Sequence, residues 1–142
     1  MTAKHLTKPM ATYVHTRRAG GLLFVAGQGS RDPESDAYAG VTRDSAGRVI
    51  AHDIAVQTAA VLTNVERALK SQGLSRADLV DVTVFLTDMS EFQAMNEVWN
   101  QFFAETPAPT RTTVAVRQLP GDNFVEMKGI AVFPSSEVNH AE

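Results

Sequence analysis

The chain has no cysteine. Disulfides, thiolate nucleophiles and cysteine-ligated zinc are thereby excluded. Its four histidines, His5, His15, His52 and His140, show no metal-ligand spacing and no H-E-x-x-H pattern. Each reads as a polar surface residue, with His15 and His52 able to border a cleft. No run of Lys and Arg exists and the formal net charge is -3, so nucleic acid is not the expected partner. No apolar run approaches the ~18–20 residues of a membrane span. The opening MTAKHLTKPMATYVHT lacks the apolar centre of a signal peptide, so the expected location is cytoplasmic. Gly20-Gly21 and Gly27-x-Gly29 do not make a phosphate-cradling loop.

What is present suits one soluble domain over residues 1–142, with 44% hydrophobic and 20% charged residues. Residues 1–11 are polar and read as loosely held, and 134–142 as a C-terminal tail. Tyr13 to Arg18 and Leu22 to Ala26 read as strands joined at Gly20-Gly21. Residues 29–47 are rich in charge and turn formers and read as a long loop, either site-shaping or a tolerated surface insertion. Arg48-Val49-Ile50 reads as a short edge strand. Asp53 is a good N-cap, apolar residues recur at helical spacing from Ile54 to Leu69, and Gly73 stops the helix. Ser75 to Asp78 is a capped turn. Leu79 to Leu86 is a strand with Val80, Val82, Val84 and Leu86 on one face. Ser90 is placed to cap a second helix over about 91–104 whose stripe is Phe92, Met95, Trp99, Phe102 and Phe103.

The stretch 109–133, PTRTTVAVRQLPGDNFVEMKGIAVF, reads as two strands around a Leu119–Asn123 turn. Arg111, Thr113 and Ala115 share one face of the first strand; Glu126, Lys128 and Ile130 share one face of the second. Arg111 and Glu126 stand where a buried strand would normally carry Val or Ile, and a charge there is costly unless paired or in use. Were the strands a hairpin with a five-residue loop, Glu126 would face Val116, about 17 Å from Arg111 at about 3.3 Å per residue. The two would then meet on one small molecule only through an irregular hairpin or across a subunit boundary, of which the second is favoured. The element order β-β-(β)-α-β-α-β-β is that of an α+β fold, one sheet with two helices on one face. The other face has no helix left to cover it, which points to a homo-oligomer in which sheet packs on sheet.

P-x-R-x-x-V-x-V from Pro109, Leu119-Pro120 and V-E-M-K-x-I-A-V from Val125 resemble the closing signature of the Rid (YjgF) family of enamine/imine deaminases. Tyr13-Val14, Ala26-Gly27-Gln28 and Asn96 within MNEVWNQFF extend the likeness over nearly the whole chain. The resemblance implies the chorismate-mutase-like fold, a homotrimer with sites at the subunit clefts, and hydrolysis without cofactor or metal. It implies that Arg111 grips a substrate carboxylate, where the bare residue reading leaves an ion pair with Glu126 or Asp122 equally open. It implies that Glu126 positions and deprotonates water, where a salt bridge to Arg111 or Lys128 is the alternative. Lys128 itself replaces an acidic residue common in the family. Thr113, where many members have cysteine, together with Tyr13 and Gly27, is a candidate to line the site. Within the family the likeness is greatest to the 2-aminomuconate deaminases, on the long loop after Gln28, Thr16-Arg17-Arg18 and D-V-T-V-F-L-T-D-M from Asp81. Such a diacid substrate would need a second cation, for which Arg17, Arg18 and Arg31 are candidates. The alternatives are a general 2-aminoacrylate deaminase and a non-catalytic carboxylate-binding regulator.

Overall fold

Asp53 starts the longer helix, α1 (Ile54–Lys70), as expected: its carboxylate accepts from the N–H groups of Ala55 and Val56. Gly73, at φ +77, turns the chain out of it. The buried stripe carries Ile54, Thr58, Val61, Leu62, Val65 and Leu69. Ser75 and Asp78 form a reciprocal capping box over the next turn. The second helix, α2 (Phe92–Phe102), departs from expectation at its start. Asp88, not Ser90, supplies the cap, accepting the Ser90 N–H at the head of a 3-10 turn that leads into α2.

The computed structural model describes residues 6–135. Most of the expected C-terminal tail, the first part of the N-terminal segment, and His5 and His140 lie outside the described residues. Among the described residues there are seven strands: β1 (Thr16–Ala19), β2 (Leu22–Gln28), β3 (Val41–Arg43), β4 (Val49–His52), β5 (Leu79–Leu86), β6 (Thr110–Ala115) and β7 (Val125–Val132). Gly20-Gly21 joins β1 to β2 in a tight hairpin with Ala19 opposite Leu22. β1 begins at Thr16, so Tyr13 and Val14 precede the strand rather than open it. The 29–47 stretch is not all loop, for β3 pairs with β4 in a separate two-stranded ribbon.

The five-stranded sheet has the order β1-β2-β7-β5-β6. This overturns the expected 111–133 hairpin. β5 lies between β6 and β7, parallel to the former and antiparallel to the latter. The reason is the connection: β5, α2 and β6 form a β-α-β unit, which brings β6 back parallel to β5. The 116–124 segment then crosses the end of β5, where Val116 N–H donates to Leu86 and Thr87 N–H donates to Phe124.

α1 packs on β2 and β7 and against α2, so both helices cover one face. Leu23, Val25, Val82, Val84, Leu86, Val125, Met127 and Ala131 fill that side. β5 corrects another expectation. A register shift between Leu79 and Asp81 buries Leu79 and leaves Val80 exposed. The opposite face carries Leu22, Phe24, Val132 and Val114, each 38–44% exposed. Sheet and helices together are the α+β architecture expected.

One fully buried polar residue ties the loops to this frame. The Gln57 amide donates to the carbonyls of Ala39 (3.0 Å) and Asp122 (2.9 Å) and accepts the Phe124 N–H (2.8 Å). It thereby holds the start of β7. Gln57→Leu keeps the size but strands three backbone groups, and each buried group without a partner costs about 1–3 kcal/mol. The expected loss of unfolding free energy is about 3 kcal/mol or more, read from the urea midpoint at unchanged slope.

Candidate active site

Glu126 lies on β7 opposite Phe85 of β5. Its alternation with the buried Val125 and Met127 puts its side chain on the face without helices. Across from it, β2 has a register irregularity between Val25 and Gln28. The extra residue bends the strand, a device common beside active sites, and presses Gly27 against the glutamate. A methyl group added at Gly27 would collide with Oε2 and stand 3.2 Å from Cδ of Glu126. Gly27→Ala should therefore push aside the Glu126 carboxylate, the end of a flexible side chain, at a cost of about 0.5–1.5 kcal/mol, that of an off-rotamer side chain, measured by thermal unfolding. Gly21→Ala, which meets no atom within 4 Å, is the matched control expected near neutral.

Around Glu126 the chain closes a cleft of about 70 Å³ whose lining includes Gly27, Tyr13, His15, Arg31, Tyr38 and Asn123. Asn123 Oδ1 accepts from the Ser30 N–H (2.7 Å) and hydroxyl (2.9 Å), while its amide donates to Pro120. Asn64 donates to the carbonyls of Gly29 and Arg31, both at 2.9 Å. The buried Gln28 amide donates to Ala26 and to Nδ1 of His15. With Nδ1 accepting, His15 Nε2–H donates to the Thr7 carbonyl and tethers the N-terminal segment. The Tyr13 hydroxyl accepts the Met10 N–H at 3.4 Å.

Glu126 has no ionic partner among the described residues; the expected alternatives, Arg111 and Lys128, do not pair with it. Burial, uncompensated by a cation, pushes its carboxyl above the usual glutamate range. Such a carboxylate is suited to exchanging protons with water near neutrality.

Arg111 lies elsewhere. In β6 it is the register partner of Val82, and Thr113 that of Val84, so both face the helices. Its guanidinium stands 4.9 Å from the Trp99 ring and 5.6 Å from Phe92, with Nη1 3.8 Å from Met95 Sδ. No carboxylate pairs with it among the described residues, and Asp122, the expected alternative, pairs with Arg43. Burial lowers its pKa, with no anion present to offset the loss of water. Thr113 Oγ1 and, on α2, Asn96 Oδ1 are buried without a hydrogen-bond partner. A guanidinium, a hydroxyl and an amide oxygen on neighbouring elements thus all lack a polar partner suited to them.

The single chain does not bring Arg111 and Glu126 together. They sit on opposite faces, three residues apart along the strands and two strands apart across the sheet, hence about 10 Å in each direction. Of the other arginines, Arg31 lines the Glu126 cleft. Arg18 stacks over Phe133 at 3.8 Å and donates to Gly20. Arg17 lines an adjoining shallow cleft with Phe24 and Lys128. His15 proves to be a cleft residue rather than a surface one. His52 is held by Glu91 at 2.9 Å and stacks on Phe124, 3.7 Å between ring centres. Gln57, Asn64, Tyr38 and Asn123 belong to no motif in the sequence. The available signal for two of them was an amide at apolar helical spacing, Gln57 three residues after Ile54 and Asn64 three after Val61.

An unpaired acid in a bulge-edged cleft and an arginine lacking an anion, on opposite faces of one helix-backed sheet, are the two candidate functional groups of this fold. The chain belongs to the Rid/YjgF family: the family model described as Endoribonuclease L-PSP matches residues 3–133. A RutC family protein of Pyrococcus abyssi is 38% identical over 124 residues, 87% of this chain and 88% of that one. The protein named "Putative reactive intermediate deaminase TdcF" of Escherichia coli is 36% identical over 122 residues, 84% and 85% of the two chains. The crystal structure of E. coli TdcF with bound serine superposes with a TM-score of 0.79 at 32% identity, covering 94% of this chain and 97% of that one. The E. coli YjgF structure gives 0.78 at 27% identity over 91% and 94%.

Proposed function

We propose that this protein is a hydrolytic enamine/imine deaminase whose site is completed between copies of the chain. The observation that carries the reading is the pair of unsatisfied charges, both half-buried: Glu126, whose pKa is raised by partial burial and which has no cation, and Arg111, which has no anion. The relative named as a reactive intermediate deaminase supports the reaction class. A second copy that brings its edge strand β6, which carries Arg111, up to the open face of the first, with its apolar Phe24, Leu22 and Val132, would bring the two half-sites of neighbouring chains together. A homotrimer of this kind is the assembly that the family resemblance implies.

In this reading Arg111 holds the substrate carboxylate in a two-point fork. Water adds to the imine carbon of the substrate. Its oxygen bonds to carbon while one of its protons passes through Glu126 to nitrogen. The carbinolamine hydroxyl proton then follows the same route to nitrogen as the C–N bond breaks. The products are a carbonyl compound and ammonia. The imine carbon is already electrophilic, so the acid–base service of Glu126 and the positioning by Arg111 are the protein's contributions.

The substrate we propose is 2-aminomuconate, giving 4-oxalocrotonate in the breakdown of aromatic compounds. The resemblance to that branch and a second arginine in the Glu126 cleft support it. The test is ammonia release from enzymatically generated 2-aminomuconate and from 2-aminoacrylate. Release from the diacid alone supports the specialised enzyme. Preference for 2-aminoacrylate makes the protein a general deaminase of reactive imines. No acceleration with either, alongside binding of small carboxylates, replaces the enzyme with a regulator.

A further inference from the structure

Arg31 differs from the chain's other candidate cations by where it stands and how it is held. It lines the cleft that contains Glu126. Arg17 belongs to a neighbouring cleft that shares only Gly27 with this one, and Arg18 is stacked on the helix side of the sheet.

Its guanidinium is fixed on two sides. Nη1 donates to Asp36 and Nη2 to the Lys8 carbonyl, both at 2.8 Å. Those bonds use two of the five N–H donors of an arginine, so three remain. The Asp36 side chain is 73% exposed whereas that of Arg31 is 17% exposed. The partner's charge is therefore screened by water, and the guanidinium presents a net attraction to an anion inside the cleft.

The backbone is bent to hold this arrangement. Asp36 is the one non-glycine among the described residues with positive φ, at 68°, a conformation that a short polar side chain tolerates better than most. Asp32 ties the loop by accepting from the Glu34 and Ser35 N–H groups, and an isolated bridge closes Arg31 against Tyr38. Asn64 anchors the Arg31 carbonyl to α1.

We infer that Arg31 is the specificity-determining residue for a second anionic group, and that the ligands of this site are dicarboxylates with one end on Arg111 of one copy and the other on Arg31 beside Glu126. The inference rests on the deaminase site reading above and adds the group that selects among its substrates.

The test is calorimetric binding of two unreactive probes to the assembled protein. One is muconate; the other is sorbate, the same diene acid with a methyl group in place of the second carboxylate. Losing a charge-assisted two-point contact weakens binding by about 10- to 100-fold, so wild type should prefer muconate to sorbate by that ratio. Arg31→Gln should bring the ratio to about one, and Arg31→Lys, which keeps the charge but not the fork, should retain part of it. Because the ratio is taken within each variant, partial loss of folded protein cancels. Equal or absent binding of the two probes by wild type overturns the inference, as does a preference that survives Arg31→Gln. Ammonia release from enzymatically generated 2-aminomuconate and from 2-aminoacrylate is measured on the same samples. Its absence with both in wild type counts against the deaminase reading, whereas release from either without a muconate preference defeats the role of Arg31 alone.

Discussion

Glu126→Gln is expected to lower the rate constant for ammonia release by about 10²–10⁴-fold, the usual contribution of a positioned acid–base group, while substrate still binds. The glutamine keeps the shape of the side chain against Gly27 and removes its proton exchange. Single-turnover ammonia release together with titration of a bound carboxylate separates the two effects. The pH profile adds an independent check. Burial raises the Glu126 pKa, and the base must be ionised, so wild-type activity should rise with pH along a limb lying above the ordinary glutamate range. The variant should lack that limb. Stability follows with a definite sign. Between the unfolded and the raised folded pKa, the folded state binds more protons, so wild-type stability falls as pH rises through that window. Glu126→Gln has no such fall and should gain on wild type across it, then keep the difference above it. Equal pH dependence of unfolding for the two proteins would contradict the burial argument.

Two inactive variants should restore activity when mixed within one oligomer. Arg111→Gln removes the carboxylate grip and Glu126→Gln removes the base. If a site takes Arg111 from one copy and Glu126 from its neighbour around a closed ring, random mixing at equal amounts leaves about a quarter of the sites with both residues intact. Co-expression with two affinity tags, followed by ammonia release from the mixed species, reads this directly. Were both residues of a site supplied by one chain, no mixed oligomer would recover activity. The opposite-face placement of Arg111 and Glu126 makes this the sharpest available test of how the site is built.

Elements set by neighbouring residues were legible before the structure. Asp53 caps α1 because a short carboxylate reaches the N–H groups two and three residues on. Gly73 ends the helix because positive φ suits glycine. Gly20-Gly21 makes the first hairpin, and the Ser75 box closes on itself. The faces of β7 followed from alternation alone, which set Glu126 on the face opposite Val125 and Met127. The exposed Val80 did not follow, because a shift in register moves a residue across the sheet without changing its identity.

Arg111 and Glu126 were recognisable in the sequence as charges in strands that called for apolar residues. Their chemistry also belongs to the residue types: a planar fork for a carboxylate, a carboxyl whose pKa rises when water is excluded. The relation between them was decided only by the tertiary fold. Insertion of β5 between β6 and β7 turned an apparent hairpin into two strands that never touch, and set the two charges on opposite faces. The same holds for His15, Arg31, Asn64 and Asn123, which converge on one cleft from four separate parts of the chain. Side-chain alternation and capping depend on residues a few positions apart and so are written locally. Strand order and cleft membership depend on which distant segments bury their apolar faces together, and that choice is made by the whole chain at once.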